Sequence, residues 1–169
     1  MKTAWLEKAI YLIVVLIVVG EALVHNPIRF HQTVTVDGLT MDVPVLWTPV
    51  KNPTGGAGVV AALRREWARS GTVDVADRAA VNPTGGPWTE QTAERQREFI
   101  NAIQQKDPRF SNTRFMDLPA GRFHAVCGEA DFSGNQALTC YVVGTQLQFS
   151  YLGSSSGEAD AKKILASLH

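Results

Sequence analysis

The chain has 169 residues, 45% of them hydrophobic, and its 16 Lys and Arg are balanced by 16 Asp and Glu. Zero net charge argues against nucleic acid or a strongly anionic surface as the main partner, since such binding runs on clustered basic residues. About 140 residues follow the first apolar stretch, the size of one ordinary domain.

That stretch, Ala9–Gly20, carries no charge. As a helix it covers about 18 Å, and extended from Ala4 to Val24 it covers about 31 Å, enough for a hydrocarbon core. The longer reading leaves Glu7, Lys8 and Glu21 at the interfaces and places Trp5 in the aromatic belt. Residues 1–25 are thus expected to form a cytoplasmic stub and a transmembrane anchor, its apolar body being Ala9, Ile10, Leu12, Ile13, Val14, Leu16, Ile17 and Val18. Gly20-Glu21-Ala22 also has the small-x-small pattern of a cleavage site, so a removed signal peptide is the second reading. Lys2, Lys8 and the amino terminus outweigh Glu7, which orients the N-terminus to the cytoplasm. The remainder is then exported: a single-pass inner-membrane protein with a periplasmic, extracytoplasmic domain.

Residues 26–32 read as a tether and 33–169 as the exported domain. His25 lies just before the tether and His31 within it, with nothing nearby to complete a metal site. Val34 and Val36 alternate before Asp37-Gly38, a strong hairpin signal, and Leu39, Met41, Val43 and Val45 resume the alternation. Pro44 and Pro49 restrict this second strand to an edge or an irregular end. After Asn52-Pro53-Thr54-Gly55-Gly56 a helix is expected, with Val59, Val60, Leu63 and Trp67 as its apolar stripe and Arg64, Arg65, Glu66 and Arg69 opposite. Val73 and Val75 suit a short strand. The Asn-Pro-Thr-Gly-Gly string recurs at 82–86; it lacks the Lys-Ser/Thr ending of a phosphate-binding loop, and both copies read as turns.

Thr89 can cap a helix from Glu90 to about Lys106, with Ala93, Phe99, Ile100 and Ile103 inward and Glu94, Arg95, Arg97 and Glu98 in water. Strand-like stretches follow at Arg114–Leu118, Arg122–Gly128, Ala137–Val143 and Gln146–Leu152. Within them lie the two cysteines, Cys127 and Cys140. A tight turn at Ser133-Gly134 would set them directly opposite on an apolar face, beside Phe123, Ala125, Leu138 and Val142. In an exported domain such a pair reads as a disulfide; a buried thiol pair or a metal half-site are the alternatives. Ser155 and Glu158 have capping-box spacing before a last helix with Ala161, Ile164, Leu165 and Leu168 inward. Helices placed early, middle and last among antiparallel strands give an α+β sandwich with a largely antiparallel sheet and about three helices.

Three short stretches resemble the PsbP-like family, which includes DcrB-type envelope lipoproteins. They are Pro44-Val45-Leu46-Trp47, Leu118-Pro119-Ala120-Gly121-Arg122, and Phe149-Ser150-Tyr151 with Ile164-Leu165-Ala166-Ser167-Leu168. The resemblance implies an extracytoplasmic α/β sandwich, often without enzymatic activity, that docks on or helps assemble membrane complexes, photosynthetic ones included. This chain departs from the lipid-anchored members in having no lipobox cysteine after its apolar run.

The leading expectation is a non-enzymatic accessory subunit or assembly factor of a larger membrane complex, with the membrane and integral membrane protein subunits as partners and no cofactor or metal. A binding module for a small ligand or envelope component, seated between sheet and helices, is the alternative. An enzyme would have to draw on His124, Glu129, Asp131 and Ser133, which are close in sequence, and sequence proximity does not make a nucleophile, base and orienter converge.

Overall fold

The computed structural model describes residues 12–19, 31–36, 38–50, 58–65, 71–77 and 85–169. Residues 12–19 are helical and exposed, and they include Leu12, Ile13, Val14, Leu16, Ile17 and Val18 of the expected anchor. Trp5, Ala9 and Ile10 lie outside the described residues. No helix among the described residues is long and apolar enough to cross a membrane.

Alternation builds the first β-hairpin as expected. β1 (His31–Val36) and β2 (Leu39–Pro44) pair antiparallel, with Gly38 in a turn between them and Val36 opposite Leu39. They form a separate two-stranded sheet. β3 (Thr48–Pro49), β4 (Val59–Arg65) and β5 (Gly71–Asp77) follow. After helix α1 (Glu90–Gln104) comes a meander of β6 (Phe110–Ala120), β7 (Phe123–Phe132), β8 (Asn135–Val142) and β9 (Leu147–Gly153), and helix α2 (Ser155–Ala166) closes the domain. The main sheet has seven strands in the order β3-β4-β5-β9-β8-β7-β6, with every neighbouring pair antiparallel. The architecture is therefore α+β with an antiparallel sheet.

One element differs in kind from the expectation. The helix expected over Val59–Trp67 is the strand β4 across Val59–Arg65; Trp67 and Arg69 lie outside the described residues. Leu63 and Arg65 are buried while Val60 and Arg64 are exposed, a period of two. Valines at 59, 60 and leucine at 63 satisfy a helical stripe equally well over so short a run. Pairing with β5 on one side and β3 on the other decides it. The same alternation splits Arg64 from Arg65, so they make no common basic patch.

Each face of the sheet is covered differently. On one side lie α2 and the β1–β2 hairpin, over a core that includes Met41, Val43, Trp47, Leu63, Val73, Phe149 and Tyr151. Ala161, Ile164, Leu165 and Leu168 enter it, which is the stripe expected for the last helix. The cap of that helix is Ser154, one residue before the expected one, its hydroxyl accepting from the Gly157 N–H. On the other side α1 packs over a smaller cluster of Trp88, Ala93, Val126 and Tyr141. Thr89 caps α1 as expected, with Thr92 reciprocating.

The cysteine hairpin is as its sequence suggests. Ser133 and Gly134 both take left-handed backbone, with φ of 49° and 83°, as a two-residue type I′ turn requires. Cys127 then faces Cys140 at a Cα separation of 4.1 Å, bridged and buried among apolar neighbours. A crosslink over 13 residues constrains the unfolded chain by about 3 kcal/mol.

Candidate functional site

Buried charge is concentrated where α2 meets the sheet. Arg65 of β4 donates from Nη1 to Asp160 of α2, both nearly out of contact with water. At the other flank Glu129 of β7, 2% exposed, accepts from Lys162 Nζ at 2.8 Å and from the more exposed Arg114 of β6. Lys162 also lies 2.5 Å from Glu158, one helical turn before it. The sequence reading missed Glu158 and Asp160 as interior residues, although a signal was present. Glu158 is in phase with Ala161 and Leu165, and Asp160 with Ile164, so the acids share the apolar stripe.

These groups hold their protons unequally. Burial pushes the Glu129 carboxyl up, but hydrogen bonds with Glu158 and Lys162 and the charges of Lys162 and Arg114 outweigh it, and hold it below the usual carboxylate range. Burial, then the hydrogen bond to Glu129, pushes Glu158 up, against the opposing effect of Lys162. Burial likewise opposes the charge on Lys162, and its two carboxylate partners more than restore it. Glu129, depressed in the fold, contributes stability above its unfolded value that is lost as pH falls through the folded one. Glu158, raised in the fold, contributes stability below about 4.5 that fades as pH rises through the folded value. Glu158→Gln is therefore expected to remove the decline on the neutral side of that value, while Glu129→Gln costs about 1–3 kcal/mol at neutral pH and removes the decline on the acid side. Melting temperature against pH for the three proteins checks this; parallel curves would refute the assignment.

The second unusual feature is α1, whose amphipathicity is turned. Ala93 is buried and Ile100 half-buried as expected, but Phe99 is 58% and Ile103 50% exposed, and Arg97 points inward. This corrects the expected inward set. The reason lies in the sheet beneath. Gly128 of β7 offers no side chain to pack, and a Cβ there would sit 3.7 Å from Arg97 Cγ. The arginine stem packs over that glycine and its guanidinium covers Phe115 of β6 at 4.6 Å, with Asp117 at 3.7 Å. Between Arg97, Asn101, Gln104, Gly128, Thr139 and Tyr141 remains a gap of about 10 Å³. Burial raises the Tyr141 hydroxyl to about 12, against a hydrogen bond with Gln96. With Gln96, Arg97 and Asn101 on its underside, α1 leaves Phe99 and Ile103 to the outside.

The residues an enzyme would have needed are dispersed. His124 pairs with Glu90 at the start of α1, Nε2 to Oε2 2.6 Å, both half exposed. Glu129 is on the opposite face under α2, Asp131 accepts from Asn112 and Gln136, and Ser133 is a turn residue with positive φ. Asn112 and Gln136 hold the Asp131 carboxyl below its usual range. Of the carboxylates at helical spacing, Glu90, Glu94 and Glu98, all three are exposed. Among the described residues no group of three or more His, Cys, Asp or Glu is arranged to hold a metal ion. His31 lies 4.0 Å from Asp42 across the hairpin. Cys127 and Cys140 are joined and structural in position. Among the described residues, the space between sheet and α2 lined by Met41, Val75, Val142, Phe149, Ile164 and Leu168 amounts to about 10 Å³.

No protein-family model matches the chain, and none of the curated proteins matches it. Solved structures to which it is similar include the solution structure of cyanobacterial PsbP (CyanoP) from Synechocystis sp. PCC 6803, at 14% sequence identity and a TM-score of 0.49, over 83% of this chain and 92% of that one.

Proposed function

We propose that the protein is a non-enzymatic, membrane-anchored accessory subunit or assembly factor of a larger membrane protein complex of photosynthetic or respiratory type. The observation that carries this reading is the turned face of α1, which holds Phe99 and Ile103 in water one helical turn apart. Aromatic residues, phenylalanine included, are enriched in protein interfaces relative to the rest of the surface. The uncharged Ala9–Gly20 run supports retention at a membrane, with the N-terminus cytoplasmic and the domain extracytoplasmic. A disulfide buried in the meander suits that oxidising side. The alternative, a module binding a small ligand between sheet and helices, needs interior room, and among the described residues the space under α2 is about 10 Å³, the size of a single water.

Purification of the full chain from its native membranes in mild detergent tests the proposal. The chain is expected to co-migrate with integral membrane subunits on native gels. Phe99→Glu with Ile103→Glu, two surface changes, is expected to lower the retained partner about thirtyfold, the loss of roughly 2 kcal/mol of interface contact. A chain that migrates alone, or a double variant that keeps its partner fully, would overturn it.

A further inference from the structure

The end of the hairpin where the chain arrives from its apolar stretch carries an apolar tip of its own. β1 begins at His31, and His31 lies opposite Pro44, so the start of the domain and the turn after β2 share one end of the hairpin. That turn is built in an unusual sense. The Trp47 N–H donates to the Pro44 carbonyl at 2.8 Å and closes it, while Gln32 donates to the Trp47 carbonyl at 2.5 Å and ties it to β1. The Trp47 ring is fully buried, edge-on to Tyr151 with centroids 6.2 Å apart. With tryptophan as the plug, the two residues left at the tip are Val45 and Leu46, 47% and 37% exposed. Turn tips are ordinarily polar or glycine-rich. Two adjacent aliphatic side chains held outward by a buried neighbour are a feature that water alone does not explain.

The length of chain before β1 says what covers them. Only His25–Phe30 separates Val24, the last residue of the apolar stretch, from His31. Six residues reach at most about 20 Å fully extended. If Val24 ends at the bilayer surface, this end of the hairpin stays within about 20 Å of it, while α1 lies on the opposite face of the sheet. We infer that the Val45–Leu46 turn is a lipid-contacting tip, seated in the acyl-headgroup boundary of the bilayer that holds the anchor. It acts as a second, shallow foothold beside the anchor. It limits the tilt of the domain, with α1 on the sheet face that the hairpin does not cover. The inference rests on the anchored reading.

The test uses the full chain reconstituted in vesicles of phosphatidylcholine and phosphatidylglycerol containing a nitroxide-bearing lipid. Leu46→Cys is labelled with an environment-sensitive fluorophore, with Val45→Cys as a second site and Phe99→Cys as the comparison. The native cysteines are bridged and buried, so the new thiol is the reactive one. Labels at 45 and 46 are expected to shift to the blue and to lose at least half their emission to the lipid quencher, with the label at 99 unaffected. Chain that floats with vesicles while 45 and 46 stay unquenched overturns this inference and leaves the anchor standing. Equal quenching at all three sites overturns it as well. Chain that does not float overturns both.

Discussion

Replacing Gly121 by alanine is expected to destabilise the protein by about 3 kcal/mol or more, the sum of a left-handed backbone penalty and an overpacked contact. Gly121 and Arg122 are the two residues between Ala120 and Phe123, which pair at the end of the β6–β7 hairpin. The positive φ of 62° falls on the first of them, the type II′ pattern that calls for glycine there. The second constraint is sharper. An added Cβ would stand 1.4 Å from the Leu168 carbonyl oxygen, a backbone atom that cannot swing aside. The Gly121 N–H also donates to the Ala166 carbonyl at 3.1 Å. The tail displaced by the methyl group is the one that holds the hairpin. His169 and Thr40 exchange backbone hydrogen bonds of 2.7 and 2.8 Å, and the Asp42 N–H donates to the Ser167 hydroxyl at 2.8 Å. Two readouts follow. Urea unfolding monitored by tryptophan fluorescence gives the lost stability, and amide exchange at Thr40 and Asp42 is expected to accelerate before that of the cysteine hairpin. A Gly121→Ala protein with a wild-type midpoint would mean that the C-terminal tail does not pass over the turn.

That position shows what could be read without coordinates. Pro119-Ala120-Gly121 was legible as the break between two strand-like stretches, but its glycine is needed for a neighbour 47 residues on, which no local pattern records. The meander was the most legible part of the chain, because period-two runs bounded by Gly121, Ser133-Gly134 and Gly144 leave little choice of register. The Cys127–Cys140 pairing followed from that register alone. β4 was misread for a physical reason: in seven residues Val59, Val60 and Leu63 fit both periods, and strand partners far away in sequence made the decision.

The surfaces were harder to read than the core. Period alone says which residues share a face and not which face turns inward. In α1 two apolar sets compete, Ala93 with Ile100 and Phe99 with Ile103. The first faces the sheet, and there the Arg97 stem packs over Gly128, 25 residues beyond Ile103. Val45 and Leu46 read as a continuing strand, because the inward turn of Trp47 that ejects them depends on Tyr151. In both cases the exposed apolar residues are legible only once the partner that displaced them is in place. The same holds for Glu158 and Asp160, whose polarity suggested solvent although their phase belonged to the core stripe.

Asp160 is where the other large loss is expected. Asp160→Ala removes the carboxylate that faces the buried Arg65 guanidinium, and an arginine cannot shed its charge to suit the interior. The expected cost is about 3–5 kcal/mol, read as a lowered urea midpoint. Arg65→Met with Asp160→Leu removes both charges and fills the space with apolar atoms. That protein is expected within roughly 1 kcal/mol of wild type, or above it, since a buried ion pair seldom outperforms good apolar packing. The contrast between single and double variants carries the point. If both lose the same amount, the contribution of the pair is packing and not charge. If the single variant loses under about 0.5 kcal/mol, the pair is solvated and α2 is held by its apolar stripe alone. If the double variant recovers, stability is not the reason for placing charge there. The stripe of Ala161, Ile164, Leu165 and Leu168 could slide by a turn over the sheet at small apolar cost. Arg65 with Asp160 at one flank, and Glu129 with Lys162 at the other, admit a single seat. That seat fixes the tail behind α2, and through Ser167 and His169 the hairpin whose tip carries Val45 and Leu46. The recovered double variant is therefore expected to show faster amide exchange at Thr40 and Asp42 despite an undiminished midpoint.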